Sequence, residues 1–209
     1  MKKLSLVLIL VLLVGGIVRA VPYPYGGYTI PDGDLEVVEG KIRDAHTTSA
    51  SSEAGKLYPW DDLSFAVLDS PQLTEANINR RAHIQFWSDT EKAKRLADDL
   101  ALHESRMSIS LALIADRSVE KGYRYTDTKG SMSFIDRMIL ETSDGRRLEP
   151  DSIFGGDSDV VAGRWMSVTL LSFPRYVDGV QIIDESTEWI RLWVVSGNNR
   201  IYFQFDFEH

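Results

Sequence analysis

The clearest alternation of apolar and polar residues lies at the C-terminal end of the chain. Every second residue is apolar in the set Ile201, Phe203, Phe205 and Phe207, and polar residues stand between them. Successive side chains of a β-strand point to opposite faces of a sheet. The pattern therefore predicts a final strand with one aromatic face in the core and the other in water.

Alternation with the same period recurs earlier in the chain, which predicts further strands. It covers Met107 to Leu113 and Arg164 to Phe173, and residues 189–195 are strongly β-prone. Asp-Gly dipeptides at 144–145 and 178–179 predict tight turns between strands. Leu35 to Ile42 is expected to open the sheet.

Residues 70–104 have a helical pattern instead. Ser70 followed by Pro71 predicts a helix start, and Ser88 with Glu91 forms a capping-box pattern. Small and medium apolar residues then recur at helical spacing, which predicts an amphipathic helix over about 89–104. For residues 82–86, a strand is an alternative to a helix.

Together these elements predict an α+β fold that is mainly β. Short strands separated by turns are typical of an antiparallel β-sandwich, with a helical insertion or flanking helical layer near residues 70–104. The layout resembles an immunoglobulin-like sandwich in this general sense, although the chain has no cysteine and so lacks the Cys–Trp–Cys pattern. Residues 35–209 are expected to form this single domain.

Residues 1–20 are typical of a cleaved signal peptide. A positive start precedes the uncharged run Leu4–Val18, and Val18 and Ala20 provide the small residues expected before the cut. The run is shorter than the ~20 residues needed to span a membrane, although retention as a short anchor is an alternative. The sequence therefore predicts a secreted or periplasmic protein without a transmembrane span in its mature form. Residues 21–34, rich in Pro, Tyr and Gly, are expected to form an extended tether.

Composition narrows the classes of function. The chain carries a formal charge of −8, which becomes −11 without Lys2, Lys3 and Arg19. This acidic balance argues against nucleic acid as a partner and against adhesion to an anionic membrane. Export without cysteine favours a bacterial source and excludes thiol chemistry.

The search for a metal or catalytic motif gives one candidate. Asp151, Asp157 and Asp159 surround a Gly-Gly pair and could offer oxygen ligands to Ca²⁺, with a solvated acidic loop as the alternative. His103-Glu104 starts like a helical zinc motif, but position 107 is Met. His103 is instead expected to pair with Asp99 at the surface or to interact with its helix C-terminus.

Two tryptophans form the candidate binding surface. Trp189 and Trp193 share the face opposite Ile190 and Leu192, so one face of this strand is aromatic if the other is core. Either this face is exposed and binds a partner, or the helix beginning at Ser88 covers it. We expect the helix to cover it.

These observations favour a non-catalytic binding or scaffolding module of the bacterial cell envelope, with a protein or glycan partner. The alternative is an extracytoplasmic hydrolase that acts on glycan or peptide through a carboxylate pair that the sequence does not identify.

Overall fold

The described part of the chain is mostly β and contains three helices, as the α+β prediction expects. The computed structural model describes residues 21–22, 30–52, 63–116, 135–161 and 164–208. The helices are α1 (Leu35–Ala45), α2 (Pro71–Gln85) and α3 (Asp89–Ser105). The strands are β1 (Val21–Pro22), β2 (Thr47–Ser49), β3 (Phe65–Leu68), β4 (Arg106–Asp116), β5 (Arg137–Thr142), β6 (Arg147–Leu148), β7 (Ser152–Val161), β8 (Arg164–Pro174), β9 (Tyr176–Val177), β10 (Val180–Gln181), β11 (Trp189–Ser196) and β12 (Asn199–Glu208).

Two five-stranded sheets contain most of these strands. The order in one, here called the β11 sheet, is β1-β12-β11-β5-β6, and the order in the other, the β4 sheet, is β2-β3-β4-β8-β7. Neighbouring strands are antiparallel except β1, which runs parallel to β12 at the edge of the β11 sheet. β9 and β10 form a separate hairpin around the predicted turn, where Asp178 and Gly179 both have positive φ.

The main hydrophobic core contains side chains from both sheets. The β11 sheet contributes the predicted apolar faces of β11 and β12, and the β4 sheet contributes alternate residues of β3, β4 and β8. The fully buried large side chains include Phe173, Phe203, Phe205, Leu68, Ile109, Leu111, Leu140, Leu171 and Ile190. Since the described residues include no disulfide, this packing must provide most of the stability of the fold.

A second apolar cluster joins α1 and α2 to β3. It contains Val38 and Ile42 of α1, Leu73 and Ala76 of α2, and Val67 of β3. The strand neighbours of that valine, at 66 and 68, belong to the main core. Because adjacent strand residues point to opposite faces, α1 and α2 cover the outer side of the β4 sheet.

α1 corrects the expectation that residues 35–42 open the sheet. Asp34 caps the helix, because its Oδ1 accepts hydrogen bonds from the backbone N–H groups of Glu36 and Val37 at 3.0 and 3.2 Å. Val38 and Ile42 lie one helical turn apart and both reach the second cluster. The apolar residues of this short segment fit a helix face as well as a strand, and the cap decided between them.

A buried carboxylate also ties α1 to α2. Glu39 is almost fully buried and forms ion pairs with Arg43 of its own helix and with Arg80 of α2. In the second pair, Nη1 of Arg80 lies 2.8 Å from Oε2 of Glu39. Arg43 also donates to the side-chain oxygen of Asn77 at 3.0 Å. Two guanidinium groups therefore compensate the burial of one negative charge.

The predicted helix starts at Ser70 and Ser88 are confirmed. Ser70 accepts a hydrogen bond from the backbone N–H of Leu73, and Ser88 from that of Glu91. The helical alternative is also confirmed for residues 82–85, which lie in α2. None of the three described helices combines the length and the apolar composition that a membrane-spanning segment requires.

The prediction that the helix from Ser88 covers Trp189 and Trp193 is wrong. α3 packs beside α2 and continues directly into β4, and its alanines at 93, 97 and 101 are exposed. The physical reason is connectivity. The chain leaves β3 and returns to β4, which are neighbours in one sheet, so the helical pair between them stays with that sheet rather than with the β11 sheet.

The structure leads to a prediction for the final strand. Phe203 of β12 is fully buried in the main core. Replacing Phe203 with Ala should lower the free energy of unfolding by about 3–5 kcal/mol, because the change leaves a cavity in a packed interior. Urea denaturation measures this loss. Val180→Ala, at an exposed position of β10, is the control and should stay within about 0.5 kcal/mol of the parent protein. Equal stability of the two variants would contradict the assignment of β12 to the core.

Candidate functional site

Aromatic and charged side chains gather on the outer face of the β11 sheet. Along β11 the buried Ile190, Leu192 and Val194 alternate with residues on the other face. We call this outer cluster the Arg191 surface; it consists of Glu141, Trp189, Arg191, Trp193, Arg200, Tyr202 and Gln204. It contains both predicted tryptophans.

The register of the hairpin brings the members of the Arg191 surface together. Ser196 pairs with Asn199 across a two-residue turn, and counting back places Trp193 opposite Tyr202 and Arg191 opposite Gln204. On the other side of β11, Arg191 is opposite Glu141 of β5. Directly opposed residues on a sheet face are close enough for their side chains to interact.

Arg191 lies among three aromatic rings. Its guanidinium carbon is 4.7 Å from the ring centroid of Trp189, 4.5 Å from that of Tyr202 and 5.3 Å from that of Trp193. The rings of Trp193 and Tyr202 are tilted, with centroids 5.0 Å apart. Arg200 adds a second cation 5.1 Å from the Trp193 ring. Contacts of a guanidinium with aromatic faces are attractive and hold the side chain in a fixed position.

Hydrogen bonds fix the polar groups of the Arg191 surface. Oε1 of Gln204 accepts from Nε and Nη2 of Arg191 at 3.1 and 2.6 Å. The indole N–H of Trp193 donates to Oε2 of Glu141 at 2.8 Å, while Oε1 of Glu141 accepts from Arg147 at 2.7 Å. Each of these side chains is therefore positioned by a neighbour on the next strand.

The carboxylate of Glu141 is held in its ionised form. Burial acts to raise the pKa of Glu141, but the hydrogen bonds from Trp193 and Arg147 and the nearby positive charges outweigh it, so the pKa lies below the ordinary value. Glu141 therefore serves as a fixed acceptor and not as a proton donor near neutral pH.

Exposure differs across the Arg191 surface. Trp193 is 8% exposed and forms the base of the cluster, while Trp189, Arg191 and Tyr202 are half-buried and Arg200 is exposed. A ligand would meet guanidinium groups and the accessible parts of two rings. This combination suits a partner that carries both negative charge and flat apolar surface.

The calcium hypothesis rests on a segment that is not a loop. Residues 152–161 form the edge strand β7, and Asp151 just before it pairs with Arg106 at 3.6 Å. The side chains of Asp157 and Asp159 lie outside the described ones, so the hypothesis stays a prediction. Among the described residues, no group of three or more His, Asp or Glu side chains could hold a metal ion.

Gly155, the first residue of the Gly-Gly pair beside these aspartates, has a structural role. Gly155 has a φ of +85° at a β-bulge, where the register of β7 with β8 shifts. A Cβ at this position would lie 2.9 Å from the backbone oxygen of Val168. Glycine is therefore required here by positive φ and by close approach of the neighbouring strand.

Trp87 does not belong to the Arg191 surface. Trp87 lies between α2 and α3, where Arg81 and Arg95 contact its ring at 5.6 and 4.2 Å. Trp60 and the side chain of Trp165 lie outside what the structure describes.

His103 is buried, so the expected surface pair with Asp99 is wrong, while the alternative of an interaction with the C-terminus of its helix stays a prediction. Its Nε2 is 2.8 Å from the hydroxyl of Thr74, and that hydroxyl donates to Asp69 at 3.3 Å. Burial lowers the pKa of His103, while the charges of Asp69 and Asp99 oppose that shift. Burial raises the pKa of Asp69. These side chains link α3 to α2 and to the end of β3.

His46 and Ser70 form a second buried polar pair. Nδ1 of His46 is 2.8 Å from the backbone oxygen of Ile42, and Nε2 is 3.0 Å from the hydroxyl of Ser70. A carbonyl only accepts, so Nδ1 carries the proton and Nε2 accepts from the serine. The pair resembles a nucleophile and its base, but both side chains are buried and Ser70 caps α2, which assigns them a structural role.

The neutral state of His46 leads to a pH prediction. Burial lowers its pKa, and the hydrogen bond to Ile42 only partly opposes this shift. The unfolded chain takes up the proton near the ordinary pKa of about 6.5, and the folded chain only at lower pH. The contribution of His46 to stability is thus complete above about pH 6.5 and is lost as the pH falls.

Urea unfolding at pH 7.5 and pH 5.5 tests this. The loss of stability at pH 5.5 should be smaller in His46→Gln than in the parent protein, whereas His83→Gln, at an exposed position, should keep the full loss. An unchanged loss in His46→Gln would contradict the prediction.

The sequence identified only part of the Arg191 surface. It placed Trp189 and Trp193 on one face, but it did not pair the two strands. Tyr202 and Gln204 could have been found from the Gly-Asn dipeptide at 197–198, because a two-residue loop fixes the register. Glu141 could not, since β5 lies 50 residues away in the chain.

Known proteins give no further guide to this site. No protein-family model matches the sequence, and no curated protein or solved structure shows significant similarity to it.

Proposed function

We propose that the protein is an exported, non-catalytic binding module of the bacterial cell envelope, and that the Arg191 surface binds its partner. The observation that carries the proposal is Arg191 itself, which three aromatic rings and Gln204 hold in place on an outer sheet face. A pre-positioned guanidinium loses little conformational freedom on binding, which favours recognition.

The finer fold belongs to the same proposal. We infer an antiparallel, immunoglobulin-like sandwich in which the β11 and β4 sheets enclose the main core. Support comes from the single apolar cluster that contains side chains of both sheets. In this arrangement α1 and α2 lie against the β4 sheet, which leaves the opposite side of the sandwich for a partner.

The partner that this surface suits is an anionic glycan. Trp189 and Tyr202 offer half-buried aromatic rings against which sugar rings can pack, and Arg191 and Arg200 offer donors for carboxylates. Arg137 and Arg147 on the neighbouring strands are paired with Glu149 and Glu141, so the positive charge offered to a ligand comes from Arg191 and Arg200. These two arginines contrast with the net charge of −8 of the whole chain.

A binding role suits this surface better than the hydrolase alternative. Glycoside hydrolysis uses a carboxylic acid that protonates the leaving group. The carboxyl group of the cluster, Glu141, has a lowered pKa and is occupied by Trp193 and Arg147. The lowered pKa and these two contacts therefore support a positioning role for Glu141.

Binding to polygalacturonate, compared with its fully methyl-esterified form, tests the proposal. The two polymers share their sugar rings and differ in charge. Binding is measured by calorimetry at about 0.15 M salt, which screens the repulsion between the polymer and the acidic chain beyond about 8 Å. We expect binding to polygalacturonate alone. Arg191→Lys should weaken it about tenfold, because lysine keeps the charge but loses the planar fork.

Arg106→Lys is the matched control, because this arginine lies on β4 in the other sheet and is half-exposed. It should bind like the parent protein. The proposal fails if polygalacturonate does not bind, or if the two lysine variants lose affinity equally.

A further inference from the structure

The turn between α2 and α3 exposes an aromatic side chain in an unfavourable backbone conformation. Phe86 ends α2 with φ 54° and ψ 42°, and it is 93% exposed. Residues with a Cβ rarely adopt left-handed backbone angles, and helices that end in this way usually have glycine at this position. A large apolar side chain here is therefore unfavourable both for the backbone and for solvation.

The residues around Phe86 are apolar, aromatic and basic. Ile84 is 58% exposed, and Trp87 is half-buried between the guanidinium groups of Arg81 and Arg95. We call residues 81–95 the hairpin tip. It contains four Lys and Arg residues and two acidic ones, and one pair of these charges, Arg95 and Glu91, forms an ion pair at 2.9 Å. Over the whole chain, by contrast, acidic residues outnumber basic ones.

We propose that the hairpin tip is a membrane-surface contact that docks on an anionic phospholipid bilayer. Phe86 would enter the acyl boundary, Trp87 would lie at the level of the headgroups, and the flanking cations would face lipid phosphates. Aromatic side chains favour this interface, and each nearby Lys or Arg adds attraction to anionic lipid. The proposal is independent of the function proposed for the Arg191 surface.

The chemistry of the tip favours a bilayer over a folded protein partner. A protruding phenylalanine needs a matching cavity on a folded protein, whereas an interface of lipid headgroups and acyl chains accepts it without one. The excess of basic residues at the tip complements anionic headgroups. Repulsion between the rest of the acidic chain and the bilayer is screened beyond about 8 Å at physiological salt, so the contact is short-range and reversible.

Flotation with vesicles tests the proposal. The probe is protein purified from the exporting cell, mixed with vesicles of 30% phosphatidylglycerol in phosphatidylcholine or of phosphatidylcholine alone. We expect stronger flotation with the anionic vesicles and a decrease at high salt. Phe86→Gly should lower the partition coefficient about tenfold, because it removes the inserted side chain.

The same variant should be more stable than the parent protein, which separates binding from folding. Glycine adopts positive φ without strain, so Phe86→Gly should raise the Tm by about 2–4 °C. Val180→Ser is the control, because it removes a 56%-exposed apolar side chain from the β9–β10 hairpin and should float like the parent protein. The N-terminus is the same in all three proteins, so any lipid affinity of that segment cancels in the comparison.

Three results would overturn the proposal. These are absence of flotation with anionic vesicles, equal flotation of the parent protein and Phe86→Gly, and equal flotation with both lipid compositions. Absence of flotation would leave the exposed phenylalanine to a protein partner.

Discussion

The alternation of side chains along β11 and β12 is the constraint on which the rest of the structure depends. Ile190, Leu192 and Val194 must enter the core, and the pleat then places Trp189, Arg191 and Trp193 together on the opposite face. The same holds for β12, where Phe203 and Phe205 are buried and Tyr202 and Gln204 face outward. The stability of the core and the composition of the candidate binding face are therefore two consequences of one backbone geometry.

The outer face of the β11 sheet and the helix-covered face of the β4 sheet have different kinds of polar contact. The Arg191 surface contains guanidinium groups on aromatic rings that partly face solvent. Between the helices and the β4 sheet, polar groups such as Glu39 and His46 are buried and fully engaged by neighbours. Buried polar groups stabilise a fold only when they are paired, so these contacts fix how the helices sit on the sheet.

Chain connectivity separates the two surfaces for which we propose partners. The helical pair α2–α3 begins after β3 and ends at β4, so it belongs to the β4 sheet, whereas the Arg191 surface belongs to the β11 sheet. Phe86 lies at the far end of that pair, one length of α3 away from β4. An α-helix of 17 residues is about 25 Å long, so the hairpin tip lies well away from β4, the strand that follows α3.

The sequence by itself determined the local elements. Alternation predicted β4, β8 and β12, and β propensity predicted β11. Capping residues predicted α2 and α3, and the Asp-Gly dipeptide at 178–179 predicted a tight turn. Each of these signals depends on neighbours within a few residues. Where the local signal was ambiguous, as at residues 35–42, the prediction was wrong and the Asp34 cap decided the outcome. Tertiary structure alone decided that the helices cover the β4 sheet, that His103 is buried, and that Glu141 and Tyr202 meet Trp193. These contacts join residues that are far apart in the chain, and their energies depend on packing and strand order, which no local pattern contains.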